Sequence, residues 1–302
     1  MSHRLETNNQ QQLVVRHFKS QATRWYALYK GTDLESRHYQ QRRASVLEMT
    51  EQVFLPINGR VLEVGCGAGL TTVELARRRY TVEAVDAVEE MIDLTKRHAS
   101  EANVLERVSL SIGDVYNLQF ADNTFDLVLA VGLLDWLHSP LRALGELSRV
   151  AKNGGFLILT CPNYWALNRI LDPVSSPLLY PLRGFAKRLL GTIGVYNGSR
   201  GSAKRWPRMY MYSTKDFAAL VASQRLELIK LMTVGFGPFS FLGKRILSDS
   251  SGIRLYENLQ RLTSQNLSPI RKMGRASILV AKKTCERRTA CDPAGTRGGR
   301  SP

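Results

Sequence analysis

The chain has 302 residues, 44% of them hydrophobic and 23% charged, the make-up of a soluble globular protein long enough for a large core. Its net charge of +16 is lopsided: residues 1–150 hold 17 Lys/Arg and 19 Asp/Glu, whereas residues 151–302 hold 25 and 7. The second half therefore favours an anionic partner, whether nucleic acid, an anionic membrane surface or an acidic small molecule. A secretory leader is not expected from the polar MSHRLETNNQQQ, nor a spanning helix, since no apolar run nears the roughly 20 residues a bilayer requires. Cys66, Cys161, Cys285 and Cys291 form no CxxC pair, which predicts reduced thiols in a cytoplasmic protein. The five histidines lack ligand spacing, so no metal site is expected.

In chain order, apolar residues between Gln10 and Tyr29 recur at helical spacing, and Ser36 to Phe54 reads as a second helix. Short aliphatic strands are predicted at Arg60–Val64, Thr81–Val85, Val108–Ile112 and Phe125–Ala130. Helices Leu70–Arg79 and Val88–Ala99 alternate with them. Ser139-Pro140 supplies a cap and a first-turn proline for a further helix, which Asn153-Gly154-Gly155 should stop before the strand Phe156–Thr160. Pro162 to Pro207 breaks the rhythm and reads as an insertion. Regularity resumes with Ser213–Val221 (Ser213 as cap), the strand Leu226–Met232, a helix near Tyr256–Leu262 and the strand Ala276–Ala281. Strands alternating with helices imply an open, mostly parallel sheet wound on both faces, with ligands beyond the C-terminal strand ends.

The most informative stretch is VLEVGCGAGL, residues 61 to 70. Gly65, Gly67 and Gly69 leave a strand and enter a helix, whose first N–H groups attract negative charge. The dinucleotide fingerprint would need a third glycine where Leu70 stands, and Glu63 beside the loop suits a cationic ligand better than a pyrophosphate. Taken alone such a loop is also compatible with a plain tight turn. Asp86 ends the second strand, where a carboxylate can accept both ribose hydroxyls. Asp114 follows the third and Asp126 opens the fourth. Acids at strand ends, a glycine loop and no phosphate-binding lysine argue for a positively charged nucleoside.

In VLEVGCGAGLTTVELA, AVDAVEEMI, IGDVYNLQFADNTFDLVLA and ELSRVAKNGGFLILT the chain resembles the class I S-adenosylmethionine-dependent methyltransferases, closest to the ubiquinone/menaquinone-biosynthesis group. The resemblance covers about residues 58–161. It implies a Rossmann-like fold: a mostly parallel seven-stranded sheet with helices on both faces, an N-terminal helical lid and a helical insertion after strand five. It further implies that Glu63, Gly65 and Gly67 hold the methionine amino end of S-adenosylmethionine, with Gly69 shaping the turn. Asp86 would take the ribose hydroxyls, Met91 would pack near the adenine, Asp114 would accept from its amino group with Val115 alongside, and Val131 would line the methionine end. On this reading residues 1–57 are the lid, 58–161 the cofactor-binding core, 162–210 a basic insertion, 211–283 the rest of the α/β domain and 284–302 a disordered basic tail.

Methyl transfer is an in-line displacement in which alignment and exclusion of water matter more than a catalytic group. Asp135 and His138, in VGLLDWLHSP, are the candidate bases, although the Glu-His pair often found there in the family is replaced by Asp135-Trp136. The Asn/Asp-Pro-Pro-aromatic run of amino-directed enzymes is absent, as is the Pro-Cys of cysteine-using RNA enzymes, which leaves Cys161 as packing. Leu182, Phe185, Leu189 and Ile193 recur at helical spacing opposite Arg183, Lys187 and Arg188, a pattern for an interfacial helix on an anionic membrane or for a cap over the site. Either suits a hydrophobic, lipid-like or aromatic acceptor methylated on oxygen or carbon, with Trp25, Tyr29, Trp136 and Tyr164 as pocket walls. The protein would then be cytoplasmic, with peripheral attachment at the inner membrane face through residues 174–194. An RNA methyltransferase and a non-catalytic methyltransferase-like subunit are the competing readings; no separate RNA-binding module accompanies the basic half.

Overall fold

The computed structural model describes residues 2–182, 207–264 and 270–284. The amphipathic segment Leu182–Ile193 lies outside the described residues apart from Leu182, and the basic tail lies outside them from residue 285 onward.

Two helices come first, α1 (Ser2–Leu28) and α2 (Leu34–Gln52). The turn between them is set by Asp33, whose carboxylate accepts from the Ser36 N–H at 2.7 Å and so satisfies one orphan donor of α2. The repeating unit follows: β1 (Arg60–Val64), α3 (Leu70–Arg77), β2 (Thr81–Asp86), α4 (Glu89–Glu101), β3 (Val108–Ile112) and β4 (Phe125–Ala130). Then come α5 (Pro140–Val150), β5 (Ala151–Pro162), α6 (Leu167–Leu171), α7 (Thr214–Ala222) and β6 (Leu226–Val234). A small hairpin, β7 (Ser240–Phe241) with β8 (Lys244–Arg245), precedes α8 (Asp249–Ser264) and β9 (Ala276–Lys283).

The seven-stranded sheet has the order β3-β2-β1-β4-β5-β9-β6. Neighbours from β3 to β5 pair in parallel, and β9 runs antiparallel between β5 and β6. Because the chain builds outward from β1 on one side and then returns to place β4 on the other, strand order reverses between β1 and β4. The crevice beyond their C-terminal ends is where such sheets bind ligands.

The central strands are buried on both faces, as parallel strands covered by helices must be. On one face Leu62, Val128, Leu157 and Leu159 pack with Leu144 and Leu147 of α5 and Phe217 and Val221 of α7. On the other Val61, Val82, Leu127 and Ile158 pack with Leu75 of α3 and with Val46, Leu47 and Met49 of α2. α2 is thus part of the sheet's core as well as part of the N-terminal cover.

Two expectations need correction. The α5 helix stops at Val150, and Asn153-Gly154-Gly155 continue as β5. The glycines serve a bulge there: Gly154 has φ +79°, the β4–β5 register shifts between Phe125 and Leu127, and a Cβ on Gly155 would press on the Lys152 carbonyl at 2.9 Å. Ser139 precedes α5 without a side-chain cap bond, whereas Pro140 takes the first turn as expected. Ser213, by contrast, does cap α7, accepting from the Asp216 N–H at 3.1 Å.

Candidate functional site

The turn after β1 is left-handed at three alternate residues, with φ of +74°, +55° and +74° at Gly65, Gly67 and Gly69. L side chains rarely adopt that region, which is why the sequence spends glycine there. The three positions differ in what surrounds them. A Cβ on Gly69 would collide with Thr95 of α4, so this glycine serves close packing. A Cβ on Gly67 would meet nothing within 4 Å, so this glycine borders open space. The turn is anchored from outside: Thr95 Oγ1 donates to the Gly67 carbonyl at 2.8 Å, and His98 Nδ1 donates to the Ala68 carbonyl at 2.7 Å. Tyr26 of α1 stacks on His98 at 4.3 Å between centroids, tying the first helix to the same turn.

Asp86, at the tip of β2, faces this turn. Its Oδ2 accepts from the Gly67 N–H at 2.9 Å and its Oδ1 from the Val88 N–H at 3.0 Å. Burial raises its pKa from the ordinary value against the pull of these bonds. Glu63 is more strongly affected. It is 3% exposed, accepts from Thr72 Oγ1, and burial pushes its pKa up to about 7 despite that bond and Arg43 nearby. A buried and a half-buried carboxylate beside unobstructed backbone make a site that favours a cation.

Both border a cavity of about 230 Å³ running from the glycine turn to the N-terminal helices. Its wall on the side of the glycine turn includes Glu63, Gly65, Gly67, Asp86, Met91, Val115 and Val131. Gly69 stands behind the turn against Thr95. Asp114 is exposed and closes a local turn, accepting from the Tyr116 N–H at 3.0 Å; it does not line the cavity, although its neighbours Gly113 and Val115 do. Asp126 lies at the opposite end of the sheet, where it accepts from the Arg60 N–H and pairs with Lys152 at 2.7 Å.

The far wall is aromatic and polar. Phe18 and Trp25 of α1, Tyr29 just after it, Tyr39 of α2, and Trp136 line it. Phe18 meets Trp25 and Trp136 at 5.4 and 5.2 Å, so α1 closes the cavity through ring packing. Tyr164 is not in this wall; it pairs with Trp165 and Arg169 instead. A single 3-10 turn, Leu134–Trp136, delivers both Asp135 and Trp136 from the end of β4. Asp135 is 4% exposed and burial raises its pKa to about 6, opposed by Arg42. His138 sits apart from the cavity: its Nδ1 hydrogen-bonds with the Tyr116 hydroxyl at 3.1 Å, and that hydroxyl accepts from the Ser139 N–H. The buried Cys161 thiol is held protonated by burial, in keeping with packing.

Several wall residues had no signal in the sequence: His38 and Arg42 of α2, Met209 and Arg275 come from three separate segments. Arg42 donates to the Tyr29 hydroxyl at 3.2 Å, lies 5.0 Å from the Tyr39 ring centroid, and packs on Gly132. A helical-wheel position cannot reveal such convergence. Only the return of the chain through α2 and the approach to β9 produces it.

Residues 62–159 match the family described as a methyltransferase domain. Over 162 residues the chain is 31% identical to a mitochondrial ubiquinone biosynthesis O-methyltransferase of Schizosaccharomyces pombe, covering 52% of this chain and 57% of that protein. It is 33% identical over 111 residues to a phosphatidylethanolamine N-methyltransferase of Cereibacter sphaeroides, covering 37% and 53%. The chain thus spans about half the length of these curated relatives. Among solved structures, magnesium protoporphyrin IX methyltransferase from Synechocystis PCC 6803 with bound SAH superposes with a TM-score of 0.56 at 16% identity, covering 91% of this chain and all of that one, a likeness of fold. This chain carries a class I S-adenosylmethionine-dependent methyltransferase domain, and S-adenosylmethionine is the methyl donor of that domain. The carboxylates of Glu63 and Asp86 and the open face of Gly67 fit a cofactor with a cationic amino-acid end and a ribose.

Proposed function

We propose that this protein transfers the methyl group of S-adenosylmethionine to an oxygen or carbon atom of a small hydrophobic acceptor, aromatic or lipid-like. The observation that carries the reading is one cavity with two unlike ends: carboxylates at a glycine turn, and aromatic rings under α1. Glu63 and the Gly65–Gly67 backbone hold the cofactor's amino-acid end, Asp86 its ribose, and Met91, Val115 and Val131 its flanks. The Tyr116 N–H occupies one oxygen of Asp114, and the other oxygen is the acceptor for the adenine amino group. When bound, the cofactor supplies a methyl group on a positively charged sulfur. The chain's share is alignment and dryness, provided by Phe18, Trp25 and Trp136 over the cavity. Asp135 is the proton acceptor for a hydroxyl-bearing or carbon-acid substrate, because it lines the cavity and stays close to neutrality in pKa. His138, held by Tyr116, positions the segment rather than the proton.

A methyl-labelled cofactor incubated with the protein and a lysate, followed by partition into organic, aqueous, RNA and protein fractions, tests the acceptor class. Label in the organic fraction is expected. Label in RNA would replace the small-molecule reading with an RNA methyltransferase. Cofactor binding without transfer to any fraction would favour the non-catalytic subunit.

A second proposal concerns location. Leu178, Tyr180, Leu182, Phe241 and Leu242 are all more than half exposed, and the β7–β8 hairpin carries Lys244 and Arg245, the latter paired with Asp249 at 2.6 Å. α6 and its following turn meet the β7–β8 hairpin through Asp172, which accepts from Ser240 Oγ and from the Gly243 N–H. We read this apolar, cation-flanked edge as the peripheral attachment to an anionic membrane. No helix among the described residues is long and apolar enough to cross a membrane.

A further inference from the structure

Eight buried side-chain polar atoms among the described residues lack a hydrogen-bond partner, and five belong to residues lining the one cavity: Gln11 Oε1, His38 Nδ1, Arg42 Nε, Asp135 Oδ1 and Arg275 Nη1. Native interiors seldom leave such atoms unpaired, so their concentration at the end away from the glycine turn is informative. His38 Nδ1 lies against Gly235, which leaves no room for a ligand atom on that side. The two arginines line the cavity and keep unpaired donors. Arg42 and Arg275 act together on His38, holding it well below its ordinary pKa after burial has done the larger part, and both also act on Tyr39. They therefore converge on one region of the wall.

The balance of charge there is uneven. Two guanidiniums face one carboxylate, Asp135, among the residues of this end of the cavity. Arg42 is partly served by the Tyr29 hydroxyl and the Tyr39 ring face. Arg275 donates its backbone N–H to the Gly235 carbonyl at 2.7 Å, while its Nη1 has no partner. A desolvated guanidinium without a counter-ion is costly, and its planar fork matches a carboxylate in a two-point contact. The surplus is a single positive charge, which suits a monoanion rather than a doubly charged phosphate.

From this convergence we infer that the acceptor carries a carboxylate, bound by Arg275 and Arg42 at the end of the cavity opposite Glu63 and Asp86. The inference rests on the methyltransferase reading and adds to it the charge class of the acceptor: an aromatic or lipid-like acid. A carboxylate engaged by two guanidiniums is a poor nucleophile, so it is the anchor, and the methylated oxygen or carbon lies elsewhere in the molecule. The arrangement also separates the two ligands by charge, the cation among carboxylates and the anion among arginines.

The test uses the full chain with S-adenosylhomocysteine bound and three probes of one shape: 2-naphthoate, 2-naphthalenemethanol and 2-naphthyl phosphate. Titration calorimetry at pH 7 should show 2-naphthoate binding at least about tenfold more tightly than the alcohol, and more tightly than the phosphate. Arg275→Gln should bring the carboxylate down to the alcohol's affinity, and Arg275→Lys should restore part of the preference. An unchanged affinity of each variant for S-adenosylhomocysteine checks that the fold is intact. Equal binding of carboxylate and alcohol, a preference for the phosphate, no binding of 2-naphthoate, or a preference indifferent to Arg275→Gln would each overturn the inference. Failure of the wild-type chain to bind S-adenosylhomocysteine would instead strike the methyltransferase reading beneath it.

Discussion

Asp86 and Gly67 show how closely one residue's role depends on its neighbours. Asp86 accepts from both Gly67 and Val88 N–H groups and still faces the cavity, so it shapes the turn and the ligand site at once. Asp86→Ala should weaken S-adenosylhomocysteine binding by about 1.5–3 kcal/mol, the range for a lost charged hydrogen bond, as read by calorimetry. Glu63 gives a pH signature. Its folded pKa of about 7 lies above the ordinary 4.5, so the folded chain holds the proton that the unfolded chain has released. Stability of the cofactor-free protein should therefore fall as pH rises from about 4.5 to about 7, by up to roughly 3 kcal/mol, and stay at the lower level above that. Chemical denaturation across that window should show the slope in wild type and a flatter profile in Glu63→Gln. Asp135, with a pKa near 6, should give a methyl-transfer rate that rises through about pH 6 and levels off, a limb that Asp135→Asn removes.

Among the elements, the glycine turn separates packing from binding. Gly69→Ala meets both a left-handed φ and the Thr95 side chain, and should cost roughly 2–4 kcal/mol in unfolding free energy. Gly67→Ala meets only the φ penalty, about 1–2 kcal/mol, yet its methyl group enters the open cradle and should cost far more in cofactor affinity than in stability. Equal effects of the two substitutions on binding would contradict this division. The helices show what pattern can and cannot convey. Both N-terminal helices were legible to within a few residues at most ends, although α1 begins earlier than its apolar spacing suggested, and the Ser213 cap of α7 was plain. The double glycine at 154–155 misled because a helix stop and a strand bulge ask for the same residue; register with Phe125 and Leu127 decides between them.

At the scale of the whole molecule, sheet order places the site. The reversal between β1 and β4 brings the glycine turn, Asp86 and the Leu134–Trp136 turn to one rim, and α1 closes it. The exposed apolar edge lies on a different part of the chain, on α6, its following turn and the β7–β8 hairpin. Leu242→Asp combined with Lys244→Glu should reduce sedimentation with phosphatidylglycerol-containing vesicles while leaving S-adenosylhomocysteine affinity as it was. Vesicle binding that survives both substitutions would remove the hairpin from the attachment. Because each cation near an anionic surface contributes about 1 kcal/mol, the association should also weaken with added salt.

What the sequence determined by itself is local or periodic: the strand and helix alternation, the parallel sheet, the glycine turn, and the carboxylates at Glu63 and Asp86. Each follows from spacing along the chain, because neighbours in sequence share a strand end or a helix face. Tertiary structure alone decided where the remaining acids lie, tying one oxygen of Asp114 to the Tyr116 N–H and sending Asp126 to the far end of the sheet. It alone brought Arg42 and Arg275 together, 233 positions apart by their numbers. Their meeting depends on α2 packing against a sheet whose β9 strand arrives last, and long-range closure of that kind leaves no periodic trace in the residues that take part.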